Sequence, residues 1–484
     1  MAAHSEVRVA VIGAGPVGLA AGHALKEKGF DNLTIFEKSD GVGGTWHTHS
    51  YPGLTCDVKS PAYTFSFAPN RELSSNYVTQ GEIEDYLQRC SAEFGLDRHI
   101  RLNAKVDRAR YQGDGTWSLT TAAGDEHVFD FVINAMGNQH TPIFPEIEGM
   151  ENFQGVSWHG TQWNHDYDLT GKRVAIVGSA ASSIQIVPEI AKRTSQLYVL
   201  QRTPNWILPR GKKDYSPLSK ALMRLPGASG LFRRLHDRVM NLSHGGAILG
   251  HKMMDTIETM GSKHLAAQVE DEALRALLTP GSRFGCKRPL VSDDFYPALQ
   301  RDDVELVASA AAAITETGIV TEDGRSLDVD VIVYCTGYKI LDFERIDVVG
   351  ENGRSLAAQM EQAPEAYKGV AVPGFPNYFL GVGPNGVLLS ASFFTAAELN
   401  LACIVKLLVQ KEAAGAKSIV VKEQLHREHN DWMRAARDGF SWASSSCDSY
   451  YRTPSGHTPF LFPGDIKLFR RHRDEAGLHE FDVT

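Results

Sequence analysis

Two glycine-bearing turns and the charges that follow them set the chemistry open to this chain. Gly13, Gly15 and Gly18 stand at the spacing Gly-x-Gly-x-x-Gly, with Pro16 among them. Glycine at these places permits a tight turn, lets backbone approach a pyrophosphate, and lets a helix lie close on a strand. A diphosphate at such a turn meets free N–H groups and the positive end of a helix dipole. About 20 residues further on stands Glu37, an acid that suits a free ribose diol and repels a 2′-phosphate. This first turn therefore takes FAD or NAD(H), not NADP. The second turn reads Gly178-Ser179-Ala180-Ala181-Ser182-Ser183, with Ala180 and Ser183 where the first has glycines. Small residues still allow close approach. The strand behind it ends in Gln201-Arg202-Thr203, a cation and a hydroxyl with no acid. Guanidinium grips phosphate in two-pronged fashion, so the second turn favours NADPH over NADH. Lys287 and Arg288 are adjacent cations in a Gly/Pro loop, 285–289. An always-ionised guanidinium suits a developing anion.

These residues need strands and helices to hold them. Apolar runs at 7–12, 33–36, 173–177, 197–200 and 331–334 read as strands, and 131–135 as a buried one. Helical patterns follow the two turns at 19–28 and 184–193, the second interrupted by Pro188. Helices are also expected at 83–94 and 396–411, and short strands between 101 and 135 with turns at Gly113-Asp114-Gly115 and Gly124-Asp125. The stretch 142–149, with Pro142 and Pro145, reads as a connection. Residues 211–279 change character. Amphipathic helices are expected at 218–225, 231–242 and 265–278, with loops at Pro226-Gly227 and Gly245-Gly246. Arg233, Arg234, His236 and Arg238 give one of them a basic side, expected to be a solvated face. A second solvated basic helix is expected at 467–473. The sum is an α/β fold of two Rossmann-like dinucleotide-binding domains, with a helical insertion at 211–279.

Composition narrows the class. The chain has 484 residues, 43% of them hydrophobic, and a net charge of −9, which argues against a primary nucleic-acid partner. Its six cysteines contain no Cys-x-x-Cys pair. That fits a reducing, cytoplasmic setting and speaks against a dithiol reductase or a Cys-rich metal site. No metal is expected. The first strand starts too early for a signal peptide, and no integral membrane segment is expected.

Three stretches carry a family resemblance. Gly43-Gly44-Thr45-Trp46 is followed after four residues by Tyr51-Pro52-Gly53 and after three more by Asp57. Phe153-x-Gly155 is followed by His159, then Trp163-Asn164, with Asn164 where the pattern has Pro or Asp. Arg202-Thr203-Pro204-Asn205-Trp206 is the third. Together they resemble the type I Baeyer–Villiger monooxygenases, class B flavoproteins related to the flavin-containing N- and S-oxygenases. The resemblance implies FAD and NADPH as cofactors. It also implies a small organic substrate, and transfer of one oxygen of O2 to a ketone through a C4a-peroxyflavin, giving an ester or lactone. Lys287 matches a lysine that binds the NADP 2′-phosphate. Arg288 matches an arginine placed over the flavin, and Asp57 the acid that pairs with it. Gly44, Thr45, Trp46 and the loop at Asn385 fall against the flavin. His159 organises the hinge between domains. Tyr450 stands where many relatives have Trp on a loop that closes over NADP. The implied FAD domain is 1–147 with 342–484, and the NADPH domain is 148–341. Oxygenation of an amine or sulfide is the alternative reaction. A non-catalytic NADPH or flavin sensor is a third reading, opposed by the presence of both Arg288 and Asp57.

Overall fold

The computed structural model describes residues 4–241, 251–444, 447–453 and 456–484. The expected Gly245-Gly246 loop, the end of the 231–242 helix and Ser445-Ser446 lie outside them.

Two five-stranded parallel sheets form the frame. The first runs in the order Tyr378–Leu380, Phe131–Asn134, Val9–Ile12, Leu33–Phe36, Ile100–Arg101. The second runs Val304–Val307, Gln196–Leu200, Arg173–Val177, Val331–Tyr334, Val156–His159. Parallel strands covered on both faces must be apolar along their whole length. Val9–Ile12, central in the first sheet, and Val331–Tyr334, an interior strand of the second, are accordingly buried at every position.

Alternation along each strand sends side chains to opposite faces. Val9 and Val11 pack under the helices Pro16–Glu27 and Phe393–Ala413. Ala10 and Ile12 pack against Val106, Ala109 and Trp117 of a mixed four-stranded sheet on the other face. The second frame repeats the plan. Val174 and Ile176 meet the helix Ser183–Ile190, while Ala175 and Val177 meet Ile314, Ile319 and Leu327 of a three-stranded sheet. Each such buried aliphatic side chain stabilises by about 1.5–3 kcal/mol, an upper figure set against an extended chain.

The chain crosses between the frames in two segments that bond to each other. Ile143 donates to the Gly337 carbonyl at 3.0 Å, and Lys339 to that of Thr141 at 2.9 Å. His159 ends the edge strand of the second sheet, a strand that its surrounding sequence did not suggest. It is buried, 5.5 Å from the Phe144 ring and 6.1 Å from that of Tyr338.

Several expectations change. The 211–279 stretch holds four described helices: Pro217–Arg224, Ala228–Met240, His251–Gln268 and Glu272–Leu278. The expected single helix at 265–278 is broken because Asp271 caps a new one, accepting from the Ala273 N–H at 2.8 Å. The basic helix Ile466–Asp474 is not simply solvated. Arg473 is buried, lies 3.2 Å from the Phe469 ring centre and donates to Asn400 at 2.6 Å. Among the described residues one helix, Phe393–Ala413, is long and apolar enough to cross a membrane, but 61% of its apolar window is buried against the first sheet and its neighbours.

Candidate active site

Both glycine turns open into one cavity of about 1240 Å3, larger than the roughly 300–1,000 Å3 of a single small-molecule site. It lies at the carboxyl ends of both sets of parallel strands, where α/β sheets bind their ligands. Of the residues singled out in the sequence, Gly13, Gly15, Pro16, Glu37, Gly44, Thr45, Trp46, Asp57, Gly178, Ser179, Ala180, Arg202, Thr203, Lys287 and Arg288 line it.

Three singled-out residues lie outside the lining. Gly18 serves packing: a Cβ there would sit 1.8 Å from the Gly13 carbonyl. Ser183 is fully buried at the start of its helix. Asn385, expected against the flavin, instead turns the chain at φ 54° and donates to the Leu461 carbonyl at 2.7 Å. Its amide is spent on holding two loops together.

The turns fit dinucleotides. Gly13 has φ 109°, and a Cβ would meet the Ala135 carbonyl at 2.7 Å. Gly178 repeats this at φ 107°, 2.6 Å from the Cys335 carbonyl. The helix Pro16–Glu27 begins with no side-chain cap and no acid in its first turn, which leaves its N-terminus to an anion. Glu37 is buried and fixed. Its carboxylate accepts from the Ala14 N–H at 2.8 Å and from the Ser39 hydroxyl at 2.6 Å. Across the cavity, Lys287 donates to the Thr203 hydroxyl, and Arg202 lies 3.7 Å from Asp448. Burial lowers the pKa of the Lys287 ammonium.

The Arg288 guanidinium meets the Asp57 carboxylate edge to edge, at 2.6 and 2.7 Å. The two residues are 231 positions apart and come from different frames. The carboxylate holds the guanidinium firmly charged. Trp46 donates to the Tyr63 hydroxyl at 3.1 Å near by. Burial pushes the Cys56 thiol up and keeps it un-ionised. Burial also drives His49 down to about 4, helped by its neighbours His159 and Lys38, so it is neutral at pH 7.

Two features were not legible. Gly53 follows closely on the residues implied to face the flavin, yet the space beside it is filled by the second frame: a Cβ would meet the Gln185 carbonyl at 2.3 Å. Cys286 and Cys447 form a disulfide, with Cα atoms 5.5 Å apart and a sequence separation of 161. It ties the segment bearing Asp448, Tyr450 and Tyr451 to the residue before Lys287. Nothing in the local spacing of the cysteines signals that pairing. Among the described residues no cluster of His, Cys, Asp and Glu is placed to hold a metal.

Residues 6–348 match a family model described as flavin-binding monooxygenase-like. The chain is similar to a Baeyer–Villiger monooxygenase of Pseudomonas aeruginosa PAO1, with 36% identity over 99% of this chain and 92% of the relative. It is equally similar to one of Streptomyces coelicolor A3(2), at 36% identity over 99% of this chain and 93% of the relative. Among solved structures, an oxidised steroid monooxygenase bound to NADP superimposes with a TM-score of 0.87 at 29% identity. The match covers 98% of this chain and 99% of that one.

Proposed function

We propose, from the premise that the chain belongs to the flavin-binding monooxygenase-like family, that it is an FAD- and NADPH-dependent Baeyer–Villiger monooxygenase. It inserts one oxygen atom of O2 into a ketone to give an ester or lactone. The observation that carries this reading is the Arg288–Asp57 pair, set across a cavity that holds two dinucleotide turns.

FAD, when bound, supplies acceptance of hydride from NADPH and reduction of O2. The chain's own residues do the rest. The turn at Gly13 and Gly15 cradles the FAD diphosphate, with Glu37 on the ribose. The turn at Gly178 takes the NADPH diphosphate, and Arg202, Thr203 and Lys287 take its 2′-phosphate. Two of the five N–H groups of Arg288 go to Asp57, which fixes the plane of the guanidinium. The rest of that fork stabilises negative charge on oxygen during attack on the carbonyl. A permanent cation serves here because it needs no proton transfer. The segment carrying Tyr450 and Tyr451 borders the same cavity and limits entry of water.

We assign 1–147 with 342–484 to the FAD domain, 148–341 to the NADPH domain and 211–279 to its insertion. We place the enzyme in the cytoplasm, where NADPH is supplied.

The test is product analysis of the purified yellow protein with NADPH, isotopically labelled O2 and a panel of ketones, amines and sulfides. An ester or lactone carrying one labelled oxygen is expected. Labelled N- or S-oxides with no ester refute the ketone reaction.

A further inference from the structure

The helices Pro217–Arg224 and Ala228–Met240 turn their leucines outward. Leu218 is 71% exposed, Leu231 62% and Leu235 57%, and Leu222, Leu225 and Val239 are each at least 45% exposed. These six are over a third of the 17 large apolar side chains exposed among the described residues, gathered on two adjacent helices. Arg234 and Arg238 are exposed on the same face, one turn apart between the apolar residues. The inner side carries a buried charge beside Met223 and Phe232, which pack on the core. Arg233 is buried, 3.1 Å from Asp237, and donates to the Thr64 carbonyl and the Thr395 hydroxyl at 3.0 Å. A helix that is merely solvated shows the reverse arrangement.

Charge is as localised as apolarity. Between 210 and 240 there are eight Lys and Arg against two Asp, a net of +6 in a chain of net −9. The occupant of this face must therefore be apolar and anionic together. A second copy of the chain fits badly, since a two-fold interface would set this net-positive face against the same face of its copy. The same helix reaches the cavity, where His236, Val239 and Met240 form part of its wall.

We infer that this face docks on a bilayer containing anionic lipid. The leucines enter the boundary between headgroups and acyl chains, and Arg234 and Arg238 lie at the lipid phosphates. The cavity wall then adjoins the membrane. On the reaction proposed above, this lets a lipophilic ketone pass from the bilayer to Arg288 without crossing water. The docking itself does not depend on that reaction.

The test uses FAD-loaded full-length enzyme. It is sedimented with vesicles of phosphatidylcholine mixed with phosphatidylglycerol, and with vesicles of phosphatidylcholine alone. Binding to the mixed vesicles is expected. Leu231→Gln with Leu235→Gln should weaken it by about 50-fold, since withdrawing one half-exposed leucine from water is worth about tenfold in affinity, less any residual contact. Arg234→Gln with Arg238→Gln should weaken binding to the mixed vesicles by about 20-fold and leave any binding to neutral vesicles unchanged. Retained FAD in each variant shows an intact fold. Wild-type enzyme that stays in the supernatant overturns the inference, as does binding indifferent to the leucine pair. A dimer in sedimentation velocity that Leu231→Gln dissociates, with no vesicle binding, overturns it in favour of a second copy.

Discussion

Arg202→Ala should convert the enzyme toward NADH. The perturbation removes the cation at the end of the strand Gln196–Leu200, where the first frame carries Glu37. Its size follows from where that cation sits. The Arg202 side chain is 74% exposed, so its attraction for a 2′-phosphate is screened by water. Two unit charges about 4 Å apart in water gain about 1 kcal/mol, and a phosphate near −2 about doubles this. Opening the 3.7 Å contact with Asp448 returns a few tenths of it. The remainder, about 1–2 kcal/mol, is a rise of about 5- to 30-fold in KM for NADPH. NADH lacks the phosphate, so its KM should move less than about twofold. Lys287→Ala should add to the loss, but less than additively, because both cations serve one phosphate. Asp448→Asn should act oppositely and lower KM for NADPH about twofold, because it frees Arg202 from a competitor. The assay is steady-state oxidation of each reduced nicotinamide by purified holoenzyme. An unchanged ratio of the two KM values in Arg202→Ala refutes the assignment, and an equal rise for both cofactors points to general damage at the turn.

Three further outcomes are expected. Asp57→Asn preserves the shape of the carboxylate but removes the charge opposite Arg288 (2.6 and 2.7 Å); ester formation should fall about 10- to 100-fold while FAD stays bound, and unchanged turnover would remove Asp57 from the site. Burial lowers the pKa of His49 to about 4, so below about pH 6.5 the unfolded chain binds the proton that the folded one refuses. Stability is therefore full above about pH 6.5 and falls toward pH 4, by up to about 3 kcal/mol from this residue; His49→Gln should flatten that part of a thermal-unfolding profile, and an unaltered profile would assign the acid sensitivity elsewhere. Reduction of the Cys286–Cys447 disulfide, or Cys447→Ser, removes a crosslink of a kind worth about 2–4 kcal/mol, so NADP should dissociate several-fold faster and more O2 should be lost as peroxide; equal release rates with and without dithiothreitol would count against the link.

What was legible in the sequence is what local pattern determines. The strands Leu33–Phe36, Arg173–Val177 and Val331–Tyr334 stand at their expected bounds, because a buried parallel strand is a continuous apolar run closed by a turn residue. The glycine turns follow because backbone geometry at Gly13 and Gly178 admits nothing larger. Long-range partnership was not legible. The helix His251–Gln268 hides in a polar stretch with a weak apolar stripe, and it is held by packing on Ile207–Leu208. Arg473 reads as a surface charge until Phe469 and Asn400 close around it. Cys286 and Cys447 are brought together only by the return of the last hundred or so residues over the cavity.

The spacing Tyr51-Pro52-Gly53, three residues, Asp57 has a physical reason that its position in the cofactor region conceals. Every second residue in it touches the second frame. The Tyr51 hydroxyl donates to Gln185 at 3.3 Å. Gly53 passes close under the Gln185 carbonyl, where any side chain would collide. The Thr55 carbonyl accepts from the Gln185 side chain at 3.0 Å, and its hydroxyl accepts from Arg210. Asp57 takes Arg288. The loop is thus a strap between the two nucleotide-binding frames, and the guanidinium over the cavity is its last rung. Arg288 can be held in place only while the frames are docked, because its partner belongs to the other one. Placement of the cation and closure of the frames are then one event. An opening large enough to release a dinucleotide past Asp57 would also break the bidentate pair, so the charged group is fully positioned only in the state that excludes water.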